Sequence, residues 1–270
     1  MLNINENFIG FCDSGVGGLT VYSKFRNILN TENCLFFGDL KHSPYGNKTQ
    51  QQLVGYSQEI FDFFESQNVK AVVMACNTTS AQTYPILKDK YDFKIYPIIQ
   101  SCAKIFAGIG AEKLGIFATE ATIQSGVYES EIKKYNPNIT IFPQSCPEWV
   151  NIVETNTQND SAKKEIIKKD LNKMLKNTPD KIILGCTHYP YLTDILSEYV
   201  SPEIFIDPAQ YFADYIKKDL EQNDLLNPQT TQGTEKFYVS ANPEEFKKAS
   251  KMFYQVNQVE LFTNPKINPQ

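Results

Sequence analysis

Short runs of β-branched and aromatic residues alternate along this chain with stretches of helical period, and that alternation restricts the fold more than any other feature. Residues 8–12 read as a strand, after which Leu19, Tyr22, Phe25, Ile28 and Leu29 fall on one helical face. Thr49 and Gln52 have the spacing of a capping box, and Leu53, Tyr56, Ile60, Phe63 and Phe64 share a face before a strand over 71–75. Further strands are expected at 35–38, 94–98, 114–118, 139–142, 182–185 and 203–206. Beyond Pro208, helical and strand-like patterns return at 212–220, 236–240 and 244–253, and the tail 264–270 is expected to be loosely held. Alternation of this kind predicts parallel sheets with helices on both faces.

A chain of 270 residues is one large domain or two modest ones. A weak internal repeat favours two: Ile9-Gly10-Phe11-Cys12-Asp13-Ser14 resembles Leu114-Gly115-Ile116-Phe117-Ala118-Thr119 in pattern. Each copy precedes a cysteine motif by a similar distance, 66 positions from Gly10 to Cys76 and 71 from Gly115 to Cys186. The expected fold is α/β, with two pseudo-symmetric doubly wound parallel-sheet domains facing across a central cleft. The first would comprise 1–98 plus 209–270 and the second 99–208. The competing reading is that any two βα units look alike.

The net charge of −5 supplies no basic face of the kind nucleic acid requires, so the expected partner is a small molecule. No apolar run approaches the ~20 residues of a membrane span, and residues 1–7 do not resemble an export signal, so the expected location is the cytoplasm. The six cysteines are then expected to be reduced, with Cys12, Cys34, Cys102 and Cys146 as packing residues.

Two stretches carry the chemistry, Val73-Met74-Ala75-Cys76-Asn77-Thr78-Thr79-Ser80 and Leu184-Gly185-Cys186-Thr187-His188-Tyr189-Pro190. Each puts a cysteine and a hydroxyl residue at the C-terminal end of a predicted buried strand, where open parallel sheets place their ligand sites. The loop Asp13-Ser14-Gly15-Val16-Gly17-Gly18 could close backbone N–H groups around an anion. Thr20 stands where a dinucleotide fingerprint needs its third glycine, and an acidic Asp13 would hold an ammonium group better than a pyrophosphate. A tight turn capped by the aspartate is the plainer reading. His42-Ser43-Pro44-Tyr45-Gly46 is either a functional loop or a proline turn with a packed tyrosine.

Three readings compete for Cys76 and Cys186. A metal site is weakly supported, because Cys-Thr-His is not a usual zinc spacing and no Cys-x-x-Cys occurs. A cysteine hydrolase could use Cys186 with His188 but leaves the Cys76 motif unexplained. Two thiols on opposite walls suit removal of a proton from one face of a carbon and its return to the other, which is racemisation. A free thiol titrates near ~8.5, so a thiolate at pH 7 costs about 2 kcal/mol. A helix N-terminus offsets that only in the best case, leaving a share to Asn77, Thr78 and Thr187 and to Asp13 and His188 as polar assistants.

At this point five motifs resemble the glutamate racemases of the cofactor-independent aspartate/glutamate racemase superfamily. They are Asp13-Ser14-Gly15-x-Gly17-Gly18, Pro44-Tyr45-Gly46-x-Lys48, Ala75-Cys76-Asn77-Thr78, Ala118-Thr119-x-x-Thr122 and Gly185-Cys186-Thr187-His188-Tyr189-Pro190, in that order. The resemblance implies no PLP and no metal. It implies Cys76 as the base for D-glutamate and Cys186 as the base for L-glutamate, with Asp13 and His188 as their respective assistants. Ser14, Pro44, Tyr45, Gly46, Asn77, Thr78, Thr119, Thr122 and Thr187 would line the pocket, with Glu154 nearby. It further implies a homodimer and a product destined for peptidoglycan. Glu148, Trp149 and Asn151 depart from the family's more apolar, proline-containing run, so packing or access beside the second cysteine is expected to differ. His188 favours glutamate over aspartate as substrate within the superfamily. The rivals are an aspartate racemase, separated by comparing rates on both acids; a silent amino-acid binding protein, for which the thiols would be superfluous; and a cysteine hydrolase, which would not require Cys76.

Overall fold

The computed structural model describes residues 4–157 and 159–263, so the expectation for the tail 264–270 lies outside the described residues. Strands β1 (Ile9–Asp13), β2 (Cys34–Gly38), β3 (Ala71–Met74) and β4 (Lys94–Pro97) begin one sheet. Strands β5 (Lys113–Ala118), β6 (Thr140–Ser145), β7 (Lys181–Gly185) and β8 (Phe205–Ile206) make a second. The chain then returns to the first sheet with β9 (Glu235–Val239) and β10 (Glu260–Leu261). The orders are β10-β9-β2-β1-β3-β4 and β6-β5-β7-β8, with the paired strands parallel throughout.

The repeat seen in sequence is also a repeat of topology. In each sheet the first strand is central, the second lies on one side, and the third lies on the other with the fourth beyond it. The register repeats too: Gly10 pairs with Leu35 and Val72, and Gly115 with Phe142 and Ile182. Strand order therefore reverses between β1 and β3 and again between β5 and β7, and a doubly wound sheet has its ligand crevice outside the carboxyl ends at such a point. Cys76 follows β3 and Cys186 follows β7.

Local chemistry explains most boundaries. Thr49 accepts the Gln52 backbone N–H at 3.3 Å while the Gln52 side chain accepts the Thr49 N–H at 3.0 Å, so the capping box opens the helix Gln50–Ser66. Pro208 at the first turn and Asp207 as cap open the helix Pro208–Gln222, which packs on the helices Leu19–Ile28 and Ile98–Ala107. The strand expected over 203–206 starts only at Phe205, because Pro202 initiates a 3₁₀ turn through Ile204. The helix expected over 244–253 ends at Ser250. Strand β10, two exposed residues at the sheet edge, has no counterpart among the expected strands.

Candidate active site

Strands β1, β3, β5 and β7 all end at one cavity. Its volume is about 470 Å³, and its wall includes Ser14 after β1, Cys76, Asn77 and Thr78 after β3, Thr119 and Glu120 after β5, and Cys186, Thr187 and His188 after β7. Pro44, Tyr45, Gly46 and Asn47 come from the loop beyond β2, and Pro147, Val150, Asn151 and Glu154 from the segment beyond β6. Each sheet thus gives one thiol to the same space. Cys76 and Cys186 are nearly buried, at 6% and 7% exposure, and all six cysteines are unpaired.

The glycine loop serves packing here. A Cβ on Gly17 would collide with His188 and stand 2.5 Å from Thr187 Oγ1, so the bare backbone lets the first sheet's loop lie directly on the second sheet's cysteine motif. Asp13 accepts the Gly15 N–H at 3.0 Å and lies behind the wall, 2% exposed, with Thr187 Oγ1 donating to it at 3.4 Å. Asp13 thus closes a turn on Gly15, but it does not cap the helix Leu19–Ile28, whose N-cap is Gly18 with no side-chain bond, and it is not on the cavity wall where an ammonium ligand would be.

Hydroxyls bridge the two sheets. Thr78 Oγ1 lies 2.9 Å from Thr119 Oγ1 and 3.3 Å from Thr122 Oγ1, and the latter two are 2.9 Å apart. Thr122 stands behind Thr119, buried, and is not on the wall. Asn77 accepts the Tyr128 hydroxyl at 2.7 Å, and Thr20 donates to the Thr187 carbonyl at 2.9 Å.

Beside the second thiol, His188 Nδ1 lies 3.8 Å from Cys186 Sγ, and its Nε2 lies 3.0 Å from Glu154 Oε1. Glu154 ends the helix Trp149–Glu154, which its first residue anchors. The Trp149 indole is fully buried, donates to Asp170 Oδ2 at 2.9 Å and packs edge-on against Tyr189, the residue after His188. Tyr189 in turn donates to the Cys146 carbonyl at 2.8 Å.

Charge differs between the walls. Burial pushes the Cys76 thiol up to about 11, with the Asp13 carboxylate adding to the rise against hydrogen bonds from Thr79. Burial also raises the Asp13 carboxyl, opposed by His188 and by the Gly15 and Gly18 N–H groups. Burial alone would lower His188, but the Cys186 sulfur and Glu154 outweigh it and lift the imidazole to about 10. His188 therefore holds its proton at neutral pH, next to Cys186. Glu120 and Glu154 are the carboxylates on the wall, and no lysine or arginine is among its described residues. Among the described residues no three of His, Cys, Asp and Glu converge to hold a metal ion.

Sequence reasoning did not anticipate Glu120, Asn47, Pro147 or Val150 on the wall, nor Tyr128 behind it. Glu120 had a signal, since it follows the helix-capping Thr119. Nothing local ties Tyr128 to Asn77.

Fold and cavity together define a two-domain α/β protein with a paired-thiol crevice between its sheets. The family model described as Asp/Glu/Hydantoin racemase matches residues 16–216. A glutamate racemase of a Thermoanaerobacter species is 36% identical over 246 residues, covering 90% of this chain and 92% of that one. The crystal structure of a Francisella tularensis glutamate racemase in complex with D-glutamate superposes with a TM-score of 0.89 at 28% identity, covering 96% of this chain and 98% of that one. A glutamate racemase isoform from Bacillus anthracis gives 0.91 at 26% identity, covering 97% and 99%. The chain belongs to the Asp/Glu/hydantoin racemase family and is an isomerase of the amino-acid racemase class. The resemblance read from the five motifs is borne out.

Proposed function

We propose that the chain interconverts L- and D-glutamate by moving a proton at Cα between two thiols, without PLP or metal. The observation that carries this is the single cavity to which each sheet contributes a thiol at its topological switch point. From the L side, Cys186 as thiolate takes the Cα proton, and the electron pair of the broken C–H bond is held by the planar carbanion and its α-carboxylate. Cys76 as thiol then delivers its proton to the opposite face. The enzyme is left with Cys76 as thiolate and Cys186 as thiol, the form that begins the reverse reaction from D-glutamate.

His188, held by Glu154, stabilises negative charge on the Cys186 sulfur. Asp13 is assigned as the assistant for Cys76: its charge reaches that thiol and burial raises its own carboxyl, so taking up a proton there would remove the repulsion a Cys76 thiolate otherwise meets. With the thiol lifted to about 11, a Cys76 thiolate at pH 7 costs about 5 kcal/mol. A helix N-terminus offsets at most ~2 kcal/mol, which leaves the remainder to a protonated Asp13 and to the substrate ammonium together. Ser14, Asn77, Thr78, Thr119 and Thr187 offer neutral donors to the two carboxylates, Thr122 acts through Thr119, and Pro44, Tyr45 and Gly46 shape the wall. Glu154 and Glu120 suit the ammonium.

The product would supply peptidoglycan synthesis, and so cell-wall biogenesis and cell shape, from a cytoplasmic homodimer. Six unpaired cysteines support that location, and no helix among the described residues is long and apolar enough to cross a membrane. We divide the domains at 98/99 and 208/209. Support comes from β9 and β10, which follow position 209 and join the first sheet.

The reading is tested with Cys76→Ser and Cys186→Ser, followed by chiral chromatography on both enantiomers. Each should lose roughly 10²–10⁴-fold or more in kcat in both directions. A full-rate Cys186→Ser enzyme would remove the two-thiol mechanism, and faster turnover of L-aspartate than L-glutamate would reassign the substrate.

A further inference from the structure

A second polar cluster adjoins the cavity on the far side of the loop that carries Tyr45. Asp39, one residue beyond β2 and 2% exposed, is its hub. Its carboxylate accepts the Tyr45 hydroxyl, the Ser240 hydroxyl at 2.6 Å and the His42 ring nitrogen Nδ1 at 2.9 Å. These donors come from three places: the cavity wall, the loop itself, and the chain just after β9. The Asp39 backbone N–H donates to the Asp13 carbonyl at 3.0 Å, and the Tyr45 ring packs in one cluster with Cys76 and Leu53. A displacement of Tyr45 is therefore a displacement of the wall against the first thiol.

His42 is held on its other face by stacking on Tyr56, with ring centroids 3.8 Å apart and planes 9° apart. Its side chain is 22% exposed in a separate cavity of about 170 Å³, which Asp39, Lys41, Tyr56, Glu59 and Ser240 also line. A buried carboxylate that loses a donor rearranges toward those it keeps, and hydrogen bonds to a charged group are among the stronger ones. Tyr45 is a remaining donor, so the wall would move with it.

We propose that Asp39, His42 and Ser240 form a clamp that fixes Tyr45 on the substrate pocket, with His42 a positioning residue whose ring can be replaced from solution through the second cavity. The kinetic arm of this inference rests on the glutamate racemisation proposed above. The experiment uses His42→Ala with and without free imidazole, His42→Gln should the alanine variant not fold, and Ser240→Ala to remove the donor from the C-terminal segment. KM should rise about tenfold, equally for L- and D-glutamate, with kcat little changed. Imidazole should restore KM in His42→Ala and leave wild type and Ser240→Ala unaltered. Imidazole should also raise the Tm of His42→Ala and not that of wild type, a readout independent of any reaction. If wild type does not racemise glutamate, the functional reading fails and the Tm comparison alone decides the clamp. Unchanged KM in folded His42→Ala and Ser240→Ala, or no selective Tm rise with imidazole, overturns it.

Discussion

Replacing Glu154 by Gln should move the alkaline limb of racemisation to lower pH, by an amount set by the contacts of His188. Burial opposes the imidazolium, and the Cys186 sulfur and Glu154 together lift His188 from 6.5 to about 10, a net effect of about 5 kcal/mol. Glu154 supplies one 3.0 Å contact to Nε2, but its side chain is 35% exposed and solvent screens it. A charge-assisted bond so screened leaves about 1–2 kcal/mol for Glu154, or roughly 5–30-fold. His188 is raised in the fold, so its proton is lost as pH rises through about 10, and activity requiring imidazolium falls there. In Glu154→Gln that fall should come about one pH unit earlier. The assay is kcat/KM against pH for both enantiomers, which must fall equally because they have equal free energy in water. Linkage gives a second readout: the stability wild type holds over the variant is present at neutral pH and disappears as pH rises through about 10. An alkaline limb that stays in place or moves upward would refute the coupling of Glu154 to the second thiol through His188.

Three further substitutions probe the scaffold. Gly17→Ala forces a Cβ into His188 and against Thr187, and should cost about 1–3 kcal/mol of stability together with most activity. Gly55→Ala, inside the helix Gln50–Ser66 with open space around its Cβ, should instead add roughly 0.5–1 kcal/mol. Denaturant midpoints check the pair, and a neutral Gly17→Ala would mean that the two loops are not in contact. Lys70 and Glu32 form a fully buried ion pair at 2.6 Å, with the Lys70 ammonium also donating to the Asn5 and Leu225 carbonyls and Glu32 accepting the Asn227 N–H. Lys70→Met should destabilise by about 3–5 kcal/mol, and urea titration showing less than ~1 kcal/mol would contradict a charge left unpaired in the core.

The features legible in sequence were those encoded by neighbouring residues. The capping box at Thr49 and Gln52, the strands ahead of both cysteines and the repeat centred on Gly10 and Gly115 reappear in the fold, since period and capping act within a few residues. The thiols and His188 were legible because a strand end at a switch point projects the next few residues into the crevice. The contacts that sequence conceals are those between the two sheets. Asp13 has the chemistry of an ammonium ligand, but Gly17 brings the second motif over it and leaves it behind the wall. Thr122 stands one hydroxyl behind Thr119, and Tyr128 reaches Asn77 across 51 positions. Strand β10 carries no alternating pattern, because both its residues are exposed and only backbone pairing to β9 defines it.

The most direct measurement of the central claim tracks isotope and handedness together in the first turnovers of L-glutamate in D2O, with protein freed of metal and PLP. Two thiols on opposite faces predict that the new D-glutamate carries α-deuterium while the remaining L-glutamate stays largely protiated. D-glutamate that keeps its α-protium would mean that a single base carries the proton across, and failure of both product formation and exchange would leave Cys76 and Cys186 without the roles assigned to them.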